Sequence, residues 1–580
     1  MQQAPDIAAA GSNESLADRA ITRDVGGQTA TSAVIGLAAA LLLPRLGARA
    51  LWASEFRWAE IAREMLLTHN YFWPTINGHV YYDKPLGSYW LVVAATWLTG
   101  GMNEVAARLP SALAGLLAIG LLILLGRELY DRRTAVYAAL ILATSFSFVF
   151  FSRSADADIE TVAGELAALL LFWHHRDRPA GTWTIGLWTL MAVTSLTKGL
   201  LGFVLPLLII GIYSLLVDGR GALLDDLKTG SMVERAKRLI ARNQWLFNRY
   251  APLAIGAAVA IYFWPFAVSH SQTGSTKGLY MVYRENFERY FAPFDHVGPI
   301  YLYIYVIFSL LAPWSVFLPA ALAEMHGRTV ARDSRSDRFV QTFFWATFIF
   351  FTLSGSRRSY YLLPILPAAA LILARMFTAP DEALHRTTRI LLKSGFAVLV
   401  ASVATSTLAF IPPHYLLPDP WGLMPAAPYR VIFAIYWLGS IVVIGYALRQ
   451  LDAKRIFLVC AFVAWLFMFY FFVFAMPAGD AWRGERDFAH RVRLIIGDDS
   501  KGLAFYNTGP VYYLQLPHPV PSYNPRRDGR VRWVVMRERD AEQLGLSENV
   551  VTRESVNPWD SKEHDLNAMV LVRLGAPATQ

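Results

Sequence analysis

Apolar residues fall along this chain in long runs and seldom in short alternations. Runs with few or no charges cover roughly 31–50, 108–128, 134–152, 160–174, 181–197, 199–217, 251–269, 300–323, 339–355, 359–377, 390–411, 430–448 and 455–475. A helix needs about 20 such residues to cross the ~30 Å hydrocarbon layer of a bilayer. The pattern therefore predicts an α-helical polytopic membrane protein with about thirteen transmembrane helices. The segment 88–100 is too short to cross and carries Trp90 and Trp97, so it reads as a re-entrant or interfacial helix. Residues 1–30 are polar and rich in Ala, Ser and Thr, and predict a disordered cytosolic tail. The membrane region takes 31–476. Beyond it the runs stop, and short strand-like segments such as 503–506, 531–536 and 569–572 alternate with helical stretches at 485–496 and 539–546. Residues 477–580 thus predict a small α/β domain.

Loop charge orients the helices. With the N-terminus in the cytosol, alternate loops carry Arg132 and Arg133, Arg176 and Arg178, the basic stretch from Arg220 to Arg249, Arg328 to Arg338, Arg386 and Arg389, and Lys454 and Arg455. The opposite side receives the 51–107 and 270–299 loops, Arg357 and Arg358, and the C-terminal tail. Long basic stretches on one side are what the positive-inside rule asks. Composition agrees: of 580 residues 55% are hydrophobic and only 17% charged, against about 25% in a soluble domain. The formal net charge of +9 is explained by these loops, so nucleic acid is not an expected partner. Cys460 is the only cysteine, which excludes an intramolecular disulfide and a zinc–thiolate cluster.

Polar chemistry gathers in four places, all on the non-cytosolic side. Glu55 and Arg57 open a stretch in which Phe56, Ala59, Ile61, Ala62 and Met65 interleave with Glu60, Arg63 and Glu64, the pattern of an amphipathic helix on a membrane surface. Asp83-Lys84-Pro85, after Tyr81 and Tyr82, sets an acid and a base beside a rigid Pro. It suits a phosphate and a sugar hydroxyl, and equally a plain turn. Asp156 and Asp158 precede the run at 160, where they either act at the membrane mouth or cap the next helix. Lys198 sits between two apolar runs, suited to an anionic lipid head-group or to snorkelling.

These motifs, in order, resemble the GT-C superfamily of polyprenyl-phosphate-sugar glycosyltransferases. The likeness is greatest to the bacterial lipid A aminoarabinose transferases and weaker to the protein O-mannosyltransferases. Ser54 through Met65 match the family's Asp-Glu-x-Arg-Tyr-Ala-Glu-Ile-Ala-Arg-Glu-Met. Tyr81 through Leu91 match Tyr-Phe-Glu-Lys-Pro-Pro-Leu-x-Tyr-Trp-Leu. Asp158 fits the acid of the second loop, Lys198-Gly199 a Lys-Gly turn, Asn286 through Tyr290 with His296 the central loop, and Arg357 through Pro364 a later Tyr-Leu-Pro segment. The match runs from about residue 35 to 375. Ser54 departs from it, standing where the family has its leading Asp. Either the carboxylate has moved to Glu55, or the acceptor needs no base. A hydroxyl must lose a proton, whereas a phosphate is already anionic.

The resemblance implies sugar transfer with inversion from a polyprenyl phosphate donor, in a bacterial inner-membrane protein whose site faces the periplasm. It implies catalytic roles for Glu55, Asp158 and Asp83, with Glu55 as the base. Donor contacts would come from Lys84, Lys198, Arg57, Arg357, Arg358, Tyr361 and Tyr82, and acceptor or loop contacts from Asp156, Glu288, Arg289 and His296. No cofactor is required by this reading, and a role for a divalent metal stays open. The expected partners are membrane lipid, the lipid-linked donor and an envelope acceptor such as lipid A, with the chain a monomer. A protein acceptor is the alternative within the superfamily. A lipid-linked sugar flippase is the alternative outside it, but its ionisable groups would sit at mid-membrane instead of on one face.

Overall fold

The computed structural model describes residues 16–52, 54–216, 228–229, 231–327, 334–405, 427–449, 451–479, 484–507, 512–525, 531–554 and 568–574. Helices dominate it up to Gly479. The first, α1 (Leu16–Leu42), already begins inside the region expected to be disordered, so residues 16–30 are helical, extending the apolar segment that follows. Residues 1–15 lie outside the described residues. Next come α2 (Glu55–Thr68), α3 (Gly87–Thr99), α4 (Glu104–Leu129), α5 (Arg132–Ala143), α6 (Phe146–Ser152), α7 (Asp158–His175), α8 (Trp183–Lys198) and α9 (Leu201–Leu216). Side-chain caps fix several starts: Asn103 accepts from the Ala106 amide before α4, and Asp131 from the Thr134 amide before α5.

Each expected apolar run coincides largely with a helix or a bent helix pair among the described residues; residues 43–50 of the first run form turns after α1, and 217 and 406–411 lie outside the described residues. Among the described residues five helices are long and apolar enough to cross a membrane: Glu104–Leu129, Ala251–Thr273, Ser359–Thr378, Arg386–Thr405 and Ala453–Ala478. Two further pairs pass together but bend sharply, α5 with α6 by 67° and Leu302–Leu310 with Trp314–Gly327 by 119°. The short helix expected at 88–100 is α3, 13 residues or about 20 Å long, which is less than a bilayer's hydrocarbon thickness. It exposes Trp97 and Leu98 at its far end (76% and 77%).

α2 departs from expectation. It does not lie open on a surface: Trp58, Ala59, Ile61, Ala62 and Met65 pack against α3 and against Tyr512 from the chain's tail. Its charges serve this packing. Arg63 grips Glu60 with two donors (2.7 and 2.9 Å) and reaches the Leu516 carbonyl at 2.6 Å. Glu64 takes the Gly78 amide and the Thr75 hydroxyl, tying α2 to a small hairpin of β1 (Thr75–Ile76) and β2 (His79–Val80).

The tail folds around a four-stranded sheet of order β3-β4-β6-β5: β3 (Leu503–Phe505), β4 (Trp533–Arg537), β5 (Val550–Arg553) and β6 (Met569–Arg573). β3 and β4 are parallel and the other pairs antiparallel, with Val534 opposite Val572. Alternate residues serve two faces. Val535 and Leu571 pack on helix Glu485–Ile496, whereas Val534, Met536, Val570 and Val572 pack on Ala541. Helix Glu485–Ile496 matches the reading from sequence; β5 was not anticipated, because Val550–Arg553 is short and buries little. The sheet is clamped to the membrane region through Arg486, which pairs with Glu104 (2.5 Å), and through the Tyr513 hydroxyl, which takes the Leu51 amide at 2.6 Å.

One buried ion pair fastens the first loop. Arg108 of α4 donates to both Glu55 oxygens (2.7 and 2.8 Å) and to the carbonyls of Leu46, Arg49 and Ala50. Burial pushes the Glu55 carboxyl up, but the Arg108 charge outweighs it and holds the pKa below the usual 4.5. Removing one partner of such a pair leaves the other charge buried and costs about 3–5 kcal/mol. Glu55→Gln and Arg108→Met should each lower the thermal midpoint of the purified protein. Because the folded pKa is depressed, the Glu55 contribution is complete above pH 4.5 and lost as pH falls through the folded value. The gap between wild type and Glu55→Gln should therefore close under acid; a gap independent of pH would show that the pair is not the cause.

Candidate active site

A cavity of about 810 Å³ opens where the first loop, the starts of α7 and α9 and the segments 284–296 and 350–361 converge. It gathers Arg57, Asp83, Lys84, Asp156, Asp158, Lys198, Arg289, His296, Arg358 and Tyr361 from the residues singled out in the sequence. Six Lys and Arg side chains face five carboxylates there, Arg284, Glu285 and Asp295 being the ones sequence did not supply.

Five of the six cations rest against acids, whereas Arg358 meets the Tyr360 hydroxyl. Lys84 sits between Asp83 (3.5 Å) and Glu285 (3.3 Å). Arg57 donates to Asp83 and to the Tyr81 hydroxyl, both at 2.8 Å. Burial raises the Asp83 pKa, but Lys84 and Arg57 more than offset it and keep it below its usual range, so Asp83 is charged at neutral pH. Lys198 ends α8, pairs with Asp158 and lies over the rings of Tyr360 and Tyr361 at 5.3 and 5.4 Å. Gly199 makes that placement possible. Its φ is +110° and a Cβ would come within 2.8 Å of the Asn286 side chain, whose oxygen takes the Leu200 amide. Arg289 bridges Glu285 (3.1 Å) and Asp295 (2.9 Å). His296 has φ +55° and contacts Asp295 at 3.3 Å; burial and Arg358 hold its pKa below the usual 6.5, so the ring is neutral at pH 7.

Asp156 differs from the other carboxylates. Its Oδ1 accepts from the Ala157 amide at 2.7 Å, and no cation pairs with it among the described residues. Its side chain lines the cavity, close enough to Lys198 to interact with it electrostatically.

Four expected site residues do not line the cavity. Glu55, expected as base, spends both oxygens on Arg108, the Trp52 amide and the Ala155 amide, and is buried away from the space. Ser54 lines the cavity in its stead, at the position where the resembled family carries an acid. Tyr82 turns to the Phe72 carbonyl (2.8 Å) and the Ser269 hydroxyl (2.5 Å). Arg357 is occupied by the carbonyls of Gly298 and Thr352. Glu288 lies on the π-helical turn Arg284–Glu288 without joining the lining. That turn explains why Glu285 escaped notice, since it precedes the recognised Asn286–Tyr290 segment by one residue. The wider π spacing accompanies functional turns. Among the described residues no three His, Cys, Asp or Glu side chains group as a metal site.

The chain is similar to known proteins in sequence and in fold. Residues 83–233 match a family profile described as dolichyl-phosphate-mannose-protein mannosyltransferase. An undecaprenyl phosphate-alpha-4-amino-4-deoxy-L-arabinose arabinosyl transferase of Pseudomonas fluorescens is 26% identical, the match covering 64% of this chain and 61% of the relative. One from Pectobacterium carotovorum is 28% identical, with 67% of each chain covered. This chain thus spans 61% of the first relative's length and 67% of the second's. The crystal structure of ArnT from Cupriavidus metallidurans bound to undecaprenyl phosphate superposes with a TM-score of 0.69 over 95% of this chain and 98% of that one, at 19% identity. The apo form gives 0.68, over 96% and 98% at 18% identity. The chain therefore shares the fold of these ArnT structures, and in sequence it is similar to the aminoarabinose transferases.

Proposed function

We propose that this chain is an integral membrane glycosyltransferase that moves an amino-pentose from a polyprenyl phosphate to a phosphate group of lipid A or a related envelope glycolipid. The cavity would face the periplasm of the bacterial inner membrane, with thirteen spans and the tail on that side. The observation that carries the reading is the convergence of Lys84, Lys198, Arg57, Arg289 and Arg358 on one cavity beside membrane helices. Its support is the similarity to arabinosyl transferases and the shared fold with a chain that holds undecaprenyl phosphate.

The reaction follows from charge. An acceptor oxygen attacks the anomeric carbon as the bond to the donor phosphate oxygen breaks, and the electron pair stays on that oxygen. The configuration inverts. The donor phosphodiester carries one negative charge and the departing monoester two. Lysines placed there bind the transition state more strongly than the ground state. Lys84 and Lys198 would exchange their acid partners for the donor phosphate, with Arg358 and Arg289 close by. Asp158 and Asp83, released from the lysines, then orient the sugar. Ser54 offers no base and Glu55 is buried, which suits an acceptor phosphate that needs none. Asp156 is left free to hold the sugar's ammonium.

Lys84→Ala and Lys198→Ala should each lower kcat by at least about tenfold, near 1.4 kcal/mol of transition-state stabilisation, and the double variant should cost less than the sum. Chelators should have little effect. Activity abolished by EDTA and restored by a divalent metal, with both lysine variants active, would move the role to a metal.

Asp156→Asn should raise KM for the amino-sugar donor about tenfold, as expected for a charge-assisted hydrogen bond, with kcat little changed. The effect should vanish with a donor whose amine is replaced by hydroxyl. A fall in kcat of about a hundredfold at constant KM would instead make Asp156 a general base acting on a hydroxyl acceptor.

Orientation is testable in intact cells, because the native Cys460 is buried. A cysteine at Ser500 should react with an impermeant maleimide and one at Ser231 should not. The reverse pattern would invert the orientation.

A further inference from the structure

A second pocket, of about 370 Å³, lies at the other end of the helices that build the cavity. α7 starts at Asp158 in the cavity, and its 18 residues rise about 27 Å at ~1.5 Å each. Arg176 and Arg178, which follow it, therefore sit about a membrane thickness from Asp158. α8 runs back from Trp183 in the pocket to Lys198 in the cavity.

The pocket carries Arg176, Arg178, Arg242 and Arg335 against a single carboxylate, Asp177. Arg176 and Arg335 share that carboxylate at 3.2 and 3.3 Å. Arg178 has no ion pair among the described residues. Beneath them Tyr213 lines the pocket at 2% exposure, and its hydroxyl has no hydrogen-bond partner among the described residues. A buried hydroxyl without an acceptor is an unfavourable arrangement. An anion with several oxygens would satisfy it and the arginines together.

What stands beside the pocket narrows the anion. Helix Met232–Arg242 contributes Ala241 and Arg242 to the lining. Along it Arg235, Lys237 and Arg238 interleave with Met232 and Val233, exposed at 87% and 62%, and with exposed Ile240. A basic helix with uncovered apolar residues lies in the plane of a bilayer interface. Trp183 and Trp245 in the pocket wall suit the same level.

We propose that this pocket binds the phosphate headgroup of an anionic phospholipid from the leaflet opposite the catalytic cavity. The phosphate oxygens lie between Arg176 and Arg178 and accept a hydrogen bond from Tyr213, while the acyl chains run along the bundle beside helix Met232–Arg242. Basic pockets between membrane helices recognise such headgroups. The assignment does not depend on the reaction carried out in the cavity.

Native mass spectrometry of the full-length protein in detergent, titrated with cardiolipin, phosphatidylglycerol or phosphatidylcholine, tests it. Wild type should retain one anionic lipid in preference to phosphatidylcholine. The double variant Arg178→Gln/Arg335→Gln should weaken retention about tenfold or more. Tyr213→Phe removes only the unpartnered hydroxyl and should weaken it about threefold, with the thermal midpoint kept. That variant carries the test if the double variant fails to fold. Arg386→Gln/Arg389→Gln, outside the pocket, should leave retention unchanged. Wild-type retention in Tyr213→Phe, or equal loss in the Arg386 and Arg389 control, would overturn the assignment. So would inorganic phosphate that displaces the lipid and stabilises wild type but not Tyr213→Phe, since the pocket would then take a soluble anion.

Discussion

The Arg108 guanidinium spends its donors on one neighbourhood: Nε and Nη2 on Glu55, Nη1 and Nη2 on the carbonyls of Leu46, Arg49 and Ala50. Glu55 in turn accepts the amides of Trp52 and Ala155. One charge pair thus joins the segment after α1, the first turn of α2, the body of α4 and the approach to Asp156. Arg153 adds to this by capping the carbonyls of Leu41, Leu42 and Pro44 at the end of α1. Desolvating two charges is costly, and the pair is tolerable because nearly every donor and acceptor is met. Its return is positional. Ser54 and Asp156 reach the cavity from loops that would otherwise have several conformations.

Within the cavity the charges answer one another before any ligand arrives. Lys84, Arg57, Lys198 and Arg289 all rest against carboxylates. An empty cavity of bare cations would be destabilising at low local dielectric. Acid partners reduce that penalty and hold the lysines in place. An anionic ligand need not create a site; it has only to compete with carboxylates for cations already in position.

Much of this was legible in the sequence. Hydrophobic runs mark helices because length and apolarity are local properties, and each run lies largely on helical structure where the structure describes it, the first ending eight residues early. Lys198 and Asp158 were legible as charges beside apolar runs, Lys84 from its place beside Asp83 and Pro85, and Arg358 through the family resemblance; all four line the cavity. The errors have a common physical origin. Glu55 looked like a catalytic acid because its partner, Arg108, lies 53 residues further along the chain. A sequence shows that an acid is present but not which cation will bury it. Arg57, Arg63 and Arg357 look alike on paper, yet only Arg57 faces the cavity, the others being taken up by carbonyls or by Glu60. Glu285 was missed because a π-helical turn changes which residues share a face, and period 3.6 gives no warning of it.

The bond from the Leu51 amide to the Tyr513 hydroxyl joins groups 462 residues apart, and that from Arg63 to the Leu516 carbonyl groups 453 apart. During synthesis the first loop leaves the ribosome long before the segment that covers it. At roughly 5–20 residues per second the delay is on the order of half a minute or more. For that interval Trp58, Ile61 and Met65 have no Tyr512 to pack against, and the Arg63 guanidinium has no Leu516 carbonyl. The membrane helices must therefore be inserted and oriented without help from the tail. Covering of the first loop is then a late event in the making of the protein, so a chain that stalls before residue 512 would hold the charged residues of the cavity but lack this cover.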